Sequence, residues 1–148
     1  MIYWIDNRGI TDPHINLAIE EFCLRNLPSD RSYFIVYVNR PSVIIGRHQN
    51  ILEEVDLRFV EQAELQVVRR ISGGGAVYHD LGNLNFCFIH RHNRRSLSNV
   101  RQTITPIRSA LAEMGVRAEI NGKNDLFIAE KKISGNAQFS NTKRILVH

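Results

Sequence analysis

The stretch "RRISGGGAVYHDLGN", residues 69 to 83, ends one apolar run and begins another, and three adjacent glycines separate them. The run before it, "LQVVRR" (65 to 70), reads as a strand that delivers the chain into the glycines. After it, Leu84, Phe86 and Phe88 alternate with Asn85, Cys87 and Ile89, the pattern of a half-buried strand. Gly73, Gly74 and Gly75 allow positive φ and let backbone N–H groups approach a ligand closely. A nest of such groups suits phosphate. Arg69 and Arg70 upstream offer a planar fork for phosphate or carboxylate. Spacing alone does not separate this from a mobile hairpin with surface arginines. The stretch is neither GxxxxGK[ST] nor GxGxxG, so those two nucleotide motifs are excluded.

Working outward, "IYWI" (2 to 5) reads as a first strand. Asp12 and Pro13 start a helix predicted over 13 to 26, with Ile15, Ala18, Ile19 and Phe22 as its apolar stripe. "YFIVYV" (33 to 38) and "SVIIG" (42 to 46) are strands joined through Pro41. Leu52, Val55, Phe59 and Ala63 give a second helical stripe. A further helix is predicted from about Ser98 to Met114, with Pro106 producing a kink or a fresh start capped by Thr105, and Gly115 ending it. "RAEI", "DLFIA", "KKISGNAQF" and "RILV" are strand candidates, with turns at Asn121-Gly122 and near Asn141. The class is α+β: a mixed, mostly antiparallel sheet flanked by helices. "KRILVH" reads as a strand just begun, which suggests a truncated chain.

The 148 residues and 43% hydrophobic content suit one compact domain, which buries roughly 70% of its unfolded-chain surface at this size. A net charge of +4 is too small and dispersed to argue for nucleic acid. No run reaches membrane-spanning length, and the start lacks the features of a signal peptide. Two cysteines without ligand spacing argue against structural zinc and for a reducing compartment, the cytoplasm. His90 and His92 do not form a ligand set. The run "HRHNRR" (90 to 95) is the most basic patch and reads as a solvated loop. Cys87 reads as a small apolar group within its strand. Taken alone, "EKKISGNA" (130 to 137) is an edge strand facing water, and "NGKND" is turn chemistry, though Asp125 could hold magnesium or orient a lysine.

Together these segments say more. "RRISGGGAVYHDLGN", then "GKND", then "KKISGNA", with "INLAIEEF" and "PSVIIGRHQN" before them, closely resemble the lipoate–protein ligase A family, in order over nearly the whole chain. The resemblance implies the biotin/lipoate ligase type of catalytic domain, of which residues 1–148 would be the N-terminal part. The rest of that domain and a C-terminal accessory domain would be absent, or supplied as a separate chain. It implies an enzyme that activates lipoate with Mg-ATP to lipoyl-AMP. The lipoyl group then passes to a lysine on a lipoyl domain of a 2-oxoacid dehydrogenase or on the glycine cleavage H protein.

Carried over by motif, Arg70, Gly75, Ala76, Val77, Tyr78 and Lys132 contact the nucleotide. Lys132 is the catalytic group, and Gly74 and His79 join it at the lipoate. Ser72, Asn83, Asn124, Asp125 and Ser134 support them, with Asp125 a candidate for Mg2+. Adenylation joins two anions, so a compact ammonium such as Lys132 suits the α-phosphate and the carboxylate. An apolar slot for the lipoate tail is expected near Leu17, Val43, Ile45 and Val77. Two alternatives stay open: an octanoyl or lipoyl transferase using Cys87, and a non-catalytic fragment that binds lipoate or a lipoyl domain. Octanoyltransferases of the ligase-like type tend to carry a larger basic residue where this chain has Gly75.

Overall fold

A computed structural model describes residues 1–91, 99–121 and 125–148. The elements run β1 (Ile2–Ile5), α1 (Pro13–Asn26), β2 (Ser32–Val38), β3 (Ser42–Ile45), α2 (Ile51–Glu54), α3 (Leu57–Gln62), β4 (Gln66–Arg69), β5 (Val77–His79) and β6 (Leu84–Arg91). There follow α4 (Asn99–Glu113), β7 (Glu119–Asn121), β8 (Asp125–Ile128), β9 (Lys131–Ser134), β10 (Gln138–Ser140) and β11 (Arg144–Val147). The described strands form three sheets rather than one. The largest has the order β1-β2-β6-β11-β10, with β1 parallel to β2 and every other pair antiparallel. The α+β class with predominantly antiparallel pairing therefore holds.

Alternation builds the core. Tyr33, Ile35 and Tyr37 of β2 point the same way as Cys87 and Ile89 of β6 and Leu146 of β11, and all pack on Cys23 and Leu24 of α1. Each fully buried aliphatic side chain in such a layer stabilises by about 1.5–3 kcal/mol. On the opposite face Phe34 and Phe88 stack with centroids 4.4 Å apart, and Trp4 meets Phe34 edge-on.

Helix α1 starts at its predicted cap: the Asp12 carboxylate accepts from the His14 and Ile15 amides. Its inward face is not the predicted one. Ile15 and Phe22 are exposed, while Asn16, Glu20, Cys23 and Leu24 are buried. The interior side of this helix carries polar groups because partners wait for them there. The C-terminal carbonyls of Cys23, Leu24 and Leu27 accept from the guanidinium of Arg144, which is itself buried. Strand β11 is thus a buried central strand that also caps α1.

The second predicted stripe is two short helices, α2 and α3, broken at Val55 and started by separate caps, Asn50 and Asp56. Neither buries a residue, and Leu52 and Phe59 face outward. Helix α4 runs unbroken through Pro106, which lies on its exposed side. Thr105 does not cap a new start; its hydroxyl donates back to the Arg101 carbonyl at 2.8 Å. Gly115, at φ +84, ends the helix as expected. The segment from His92 to Arg95 and the turn residues Gly122 to Asn124 lie outside the described residues.

The second sheet has the order β4-β3-β5, with β3 parallel to β4 and antiparallel to β5. Strand β3 therefore lies between the two strands that the glycine loop connects. To pass from β4 to β5 the loop must cross the C-terminal end of β3. The third sheet, β7-β8-β9, is an antiparallel meander.

Candidate active site

The crossing fixes the glycine loop. At the end of β3 stands Gly46, and a Cβ there would fall 2.1 Å from the Gly74 carbonyl oxygen. Only a glycine lets the loop pass so close to the strand end. Gly74 has φ +98, a conformation that disfavours any side chain. Gly73 and Gly75 have no positive φ, and a Cβ on either would meet no protein atom within 4 Å. The space beside them is open.

Both arginines of the pair hold this loop in place. Arg69 donates to the carbonyls of Gly46 at 2.9 Å and Gln49 at 2.7 Å. Arg70 donates to Ile44 O at 3.1 Å, to Gly73 O at 2.9 Å and to Gly75 O at 2.8 Å. Its Nε donates to Ser72 Oγ at 3.1 Å. The fork expected for an anion is, in this structure, a brace on backbone carbonyls. Burial lowers the Arg70 pKa from its ordinary value, and the Glu20 carboxylate acts against that shift.

A cavity of about 760 Å³ opens beneath the loop. Gly74, Gly75, Ala76, Val77, Tyr78, His79 and Asn83 line it together with Asp125, Lys132, Ser134 and Gly135 of the third sheet and the turn after it. Arg70 and His148 also line it. The apolar part comes from Leu17, Ile44, Val77, Leu84 and Phe86. Leu17 and Val77 are where the slot was expected. Val43 and Ile45 are not among the lining residues; the intervening Ile44 is, because alternate residues of β3 face opposite ways. Ser72 lies behind the loop, fully buried. Asn124 is outside the described residues.

Lys132 enters the cavity by strand register. It pairs with Phe127, so it shares a face with Asp125 two residues back along β8. Its ammonium lies 2.8 Å from Asp125 Oδ2. Lys131, opposite Ile128, faces the other way. The register shifts between Leu126 and Phe127, leaving Ile133 as the extra residue of a bulge just after Lys132. A Cβ on Gly135 would meet the Lys132 chain at 3.1 Å, so this glycine clears the lysine's path.

Two polar chains support the cavity from α1, and neither was read from the sequence. In one, Asn7 donates to Asn16 at 3.0 Å, Asn16 to Asn39 at 2.9 Å, and Asn39 Nδ2 lies 3.0 Å from His79 Nδ1. Since an amide N–H can only donate, His79 Nδ1 accepts and Nε2 carries the proton. Burial, reinforced by His148 and Arg70, lowers the His79 pKa from 6.5 to about 4. In the other, Glu20 accepts from the Tyr37 hydroxyl at 2.8 Å and meets His148 Nδ1 at 2.6 Å, while His148 Nε2 meets Ser72 Oγ at 2.6 Å. The signal was present: Asn16 and Glu20 stand four apart in "INLAIEEF", on one helix face.

Cys87 is fully buried, and burial, then the Glu20 carboxylate, pushes its thiol well above the ordinary range. It cannot serve as a thiolate nucleophile. Among the described residues no cluster of three His, Cys, Asp or Glu could hold a metal. Asp125 is the one carboxylate among the described cavity residues, and Lys132 holds it.

A model of the lipoyl protein ligase A/B catalytic domain matches residues 12–148. The chain is 51% identical over 145 residues to the lipoate-protein ligase LplJ of Bacillus subtilis, covering 98% of this chain and 44% of that protein. It therefore spans less than half the length of that curated relative. The bi-partite lipoate protein ligase of Thermoplasma acidophilum, described with its E2 lipoyl domain, superposes with a TM-score of 0.88 at 31% identity over 99% of this chain and 58% of its own. A lipoate-protein ligase A bound with ATP superposes with a TM-score of 0.83 at 31% identity, over 99% and 62%.

Proposed function

Because the chain belongs to the lipoyl protein ligase A/B catalytic-domain family, we propose that its cavity forms lipoyl-AMP from lipoate and ATP and presents it to an acceptor lysine. The observation that carries this reading is the position of Lys132. It lines the same cavity as the open backbone of Gly75, and its ammonium is held by Asp125. In the first step a lipoate carboxylate oxygen attacks the α-phosphorus, an O–P bond forms, and pyrophosphate leaves. Two anions must meet, and Lys132 neutralises the charge that gathers between them. The space beside Gly73 and Gly75 suits a nucleotide lying against the loop, with Ala76, Val77 and Tyr78 along it. Arg70 acts here mainly by holding the loop's shape. The apolar residues Leu17, Ile44 and Phe86 suit the hydrocarbon tail, with Gly74 and His79 near the carboxyl end.

In the second step the acceptor amine attacks the mixed anhydride and AMP leaves. No protein nucleophile is needed, in keeping with the burial of Cys87. The described cavity residues do not build a resident cation site, so Mg2+ enters as part of Mg-ATP. The proposed acceptors are lipoyl domains of 2-oxoacid dehydrogenases or the glycine cleavage H protein. None of the described helices is long and apolar enough to cross a membrane, and two unbridged thiols support a place in the cytoplasm.

Incubating the chain with Mg-ATP, lipoate and an isolated lipoyl domain tests the reading. Lipoyl-AMP in the quenched mixture and a lipoyl mass increment on the domain are expected. Tight binding of lipoyl-AMP without turnover would instead favour a binding fragment that needs further chain for chemistry. The absence of both binding and turnover would refute the assignment.

A further inference from the structure

The group Ser72–His148–Glu20 has the outline of a nucleophilic triad, with both histidine contacts at 2.6 Å. It cannot act as one. Ser72 is fully buried behind the glycine loop, and its oxygen already accepts from Arg70 Nε. No substrate carbonyl can reach it. What the arrangement does have is direction.

A carboxylate only accepts, so Glu20 takes the hydroxyl proton of Tyr37 on one oxygen and Nδ1–H of His148 on the other. With its proton on Nδ1, His148 offers Nε2 as an acceptor to the Ser72 hydroxyl. Ser72 oxygen then accepts from Arg70 Nε, and the far side of Arg70 grips Gly73 and Gly75. Every donor in this relay finds an acceptor, and the opposite neutral tautomer of His148 would set a bare Nδ1 against the Glu20 carboxylate, two acceptors face to face. His148 is itself anchored by paired backbone bonds to Ala137 at 2.7 and 2.9 Å.

We propose that Glu20 is a positioning residue: through His148 and Ser72 it orients the Arg70 guanidinium, and through Arg70 it sets the shape of the glycine loop that receives the adenylate. Glu20 is 1% exposed and does not line the cavity, so it acts through its neighbours. The proposal deepens the adenylate-site reading and rests on it for its ligand.

The test is Glu20→Gln, which keeps the volume and turns one acceptor into a donor. In the 15N-histidine spectrum of the full chain, His148 should carry its proton on Nδ1 in wild type and shift to Nε2 in the variant. The amide resonances of Gly74 and Gly75 should move with it. Affinity for lipoyl-AMP, read by calorimetry, should fall by about tenfold, the scale of one charge-assisted hydrogen bond. Ser72→Ala, which cuts the relay in the middle, should cost a similar factor, and the double variant should be no weaker than the worse single.

Unmoved glycine amides in Glu20→Gln, or losses that multiply in the double variant, would overturn the proposal. Should Glu20→Gln fail to fold, Ser72→Ala carries the same test through the Gly74 and Gly75 amides. Should wild type not bind lipoyl-AMP, the adenylate reading has failed, and the tautomer and glycine resonances still decide this one.

Discussion

The ammonium of Lys132 sits 2.8 Å from Asp125 Oδ2, on the face of the third sheet that looks into the cavity. Of the two adjacent lysines, strand register selects this one, and the neighbouring glycine gives it room. Removing it by Lys132→Ala should lower lipoate-dependent ATP–pyrophosphate exchange by at least about a hundredfold in a protein competent for the step. Asp125→Asn should leave the charge but loosen its aim, with a smaller loss. Equal exchange in wild type and Lys132→Ala would remove Lys132 from the mechanism.

The glycines should separate by role. Gly46→Ala forces a methyl against the Gly74 carbonyl, so the loop must shift, and stability should fall by about 1–3 kcal/mol in urea denaturation. Gly73→Ala and Gly75→Ala meet no protein atom and should change stability by no more than about 0.5 kcal/mol. If the nucleotide lies where proposed, Gly75→Ala should nonetheless weaken ATP binding. A Gly75→Ala protein that binds ATP as wild type does would place the nucleotide elsewhere.

These glycines also mark how far the sequence could be read. The glycine motif pointed to a ligand close against the backbone; the close approach within the fold is instead that of Gly74 to Gly46, which only the crossing over β3 reveals. Strand runs such as 33–38 and 144–147 were legible from alternation and β-branching. The inward face of α1 was not, because Asn16 and Glu20 are buried by virtue of partners far along the chain, and periodicity scores them as solvent-facing. For the same reason Val43 and Ile45 were expected where Ile44 lines the slot: a short, wholly apolar strand gives no sign of which face is which. The stripe through Leu52 and Phe59 ran across an N-cap, Asp56, that starts a separate helix.

Arg144 illustrates another long-range dependence. Its guanidinium satisfies the carbonyls that α1 leaves open at Cys23, Leu24 and Leu27. Arg144→Leu should destabilise the chain by about 3 kcal/mol, since buried carbonyls lose their donor. Arg144→Lys should recover only part, because an ammonium cannot fork to several carbonyls. Denaturation midpoints of the three proteins check the order; equal midpoints would contradict it.

His79 gives a pH signature. Its pKa falls from 6.5 to about 4 on folding, chiefly through burial. Between those values the unfolded chain binds a proton that the folded ring refuses. This group therefore makes stability fall as pH drops below about 6.5, and contributes no slope above that. By pH 4 the loss should be about 2 kcal/mol, less than the full shift implies because the ring is partly exposed. Comparing wild type with His79→Asn at pH 7 and pH 4.5 isolates it: the variant should lose less on acidification. A parallel pH dependence in both would rule the effect out.

The central claim is that the glycine loop and Lys132 form one adenylate site. Calorimetric titration of this chain with lipoyl-AMP tests it most directly. One saturable site in wild type, weakened by about two orders of magnitude in Lys132→Ala, is the predicted result. Equal affinity in the two proteins, or no binding in wild type, would contradict it.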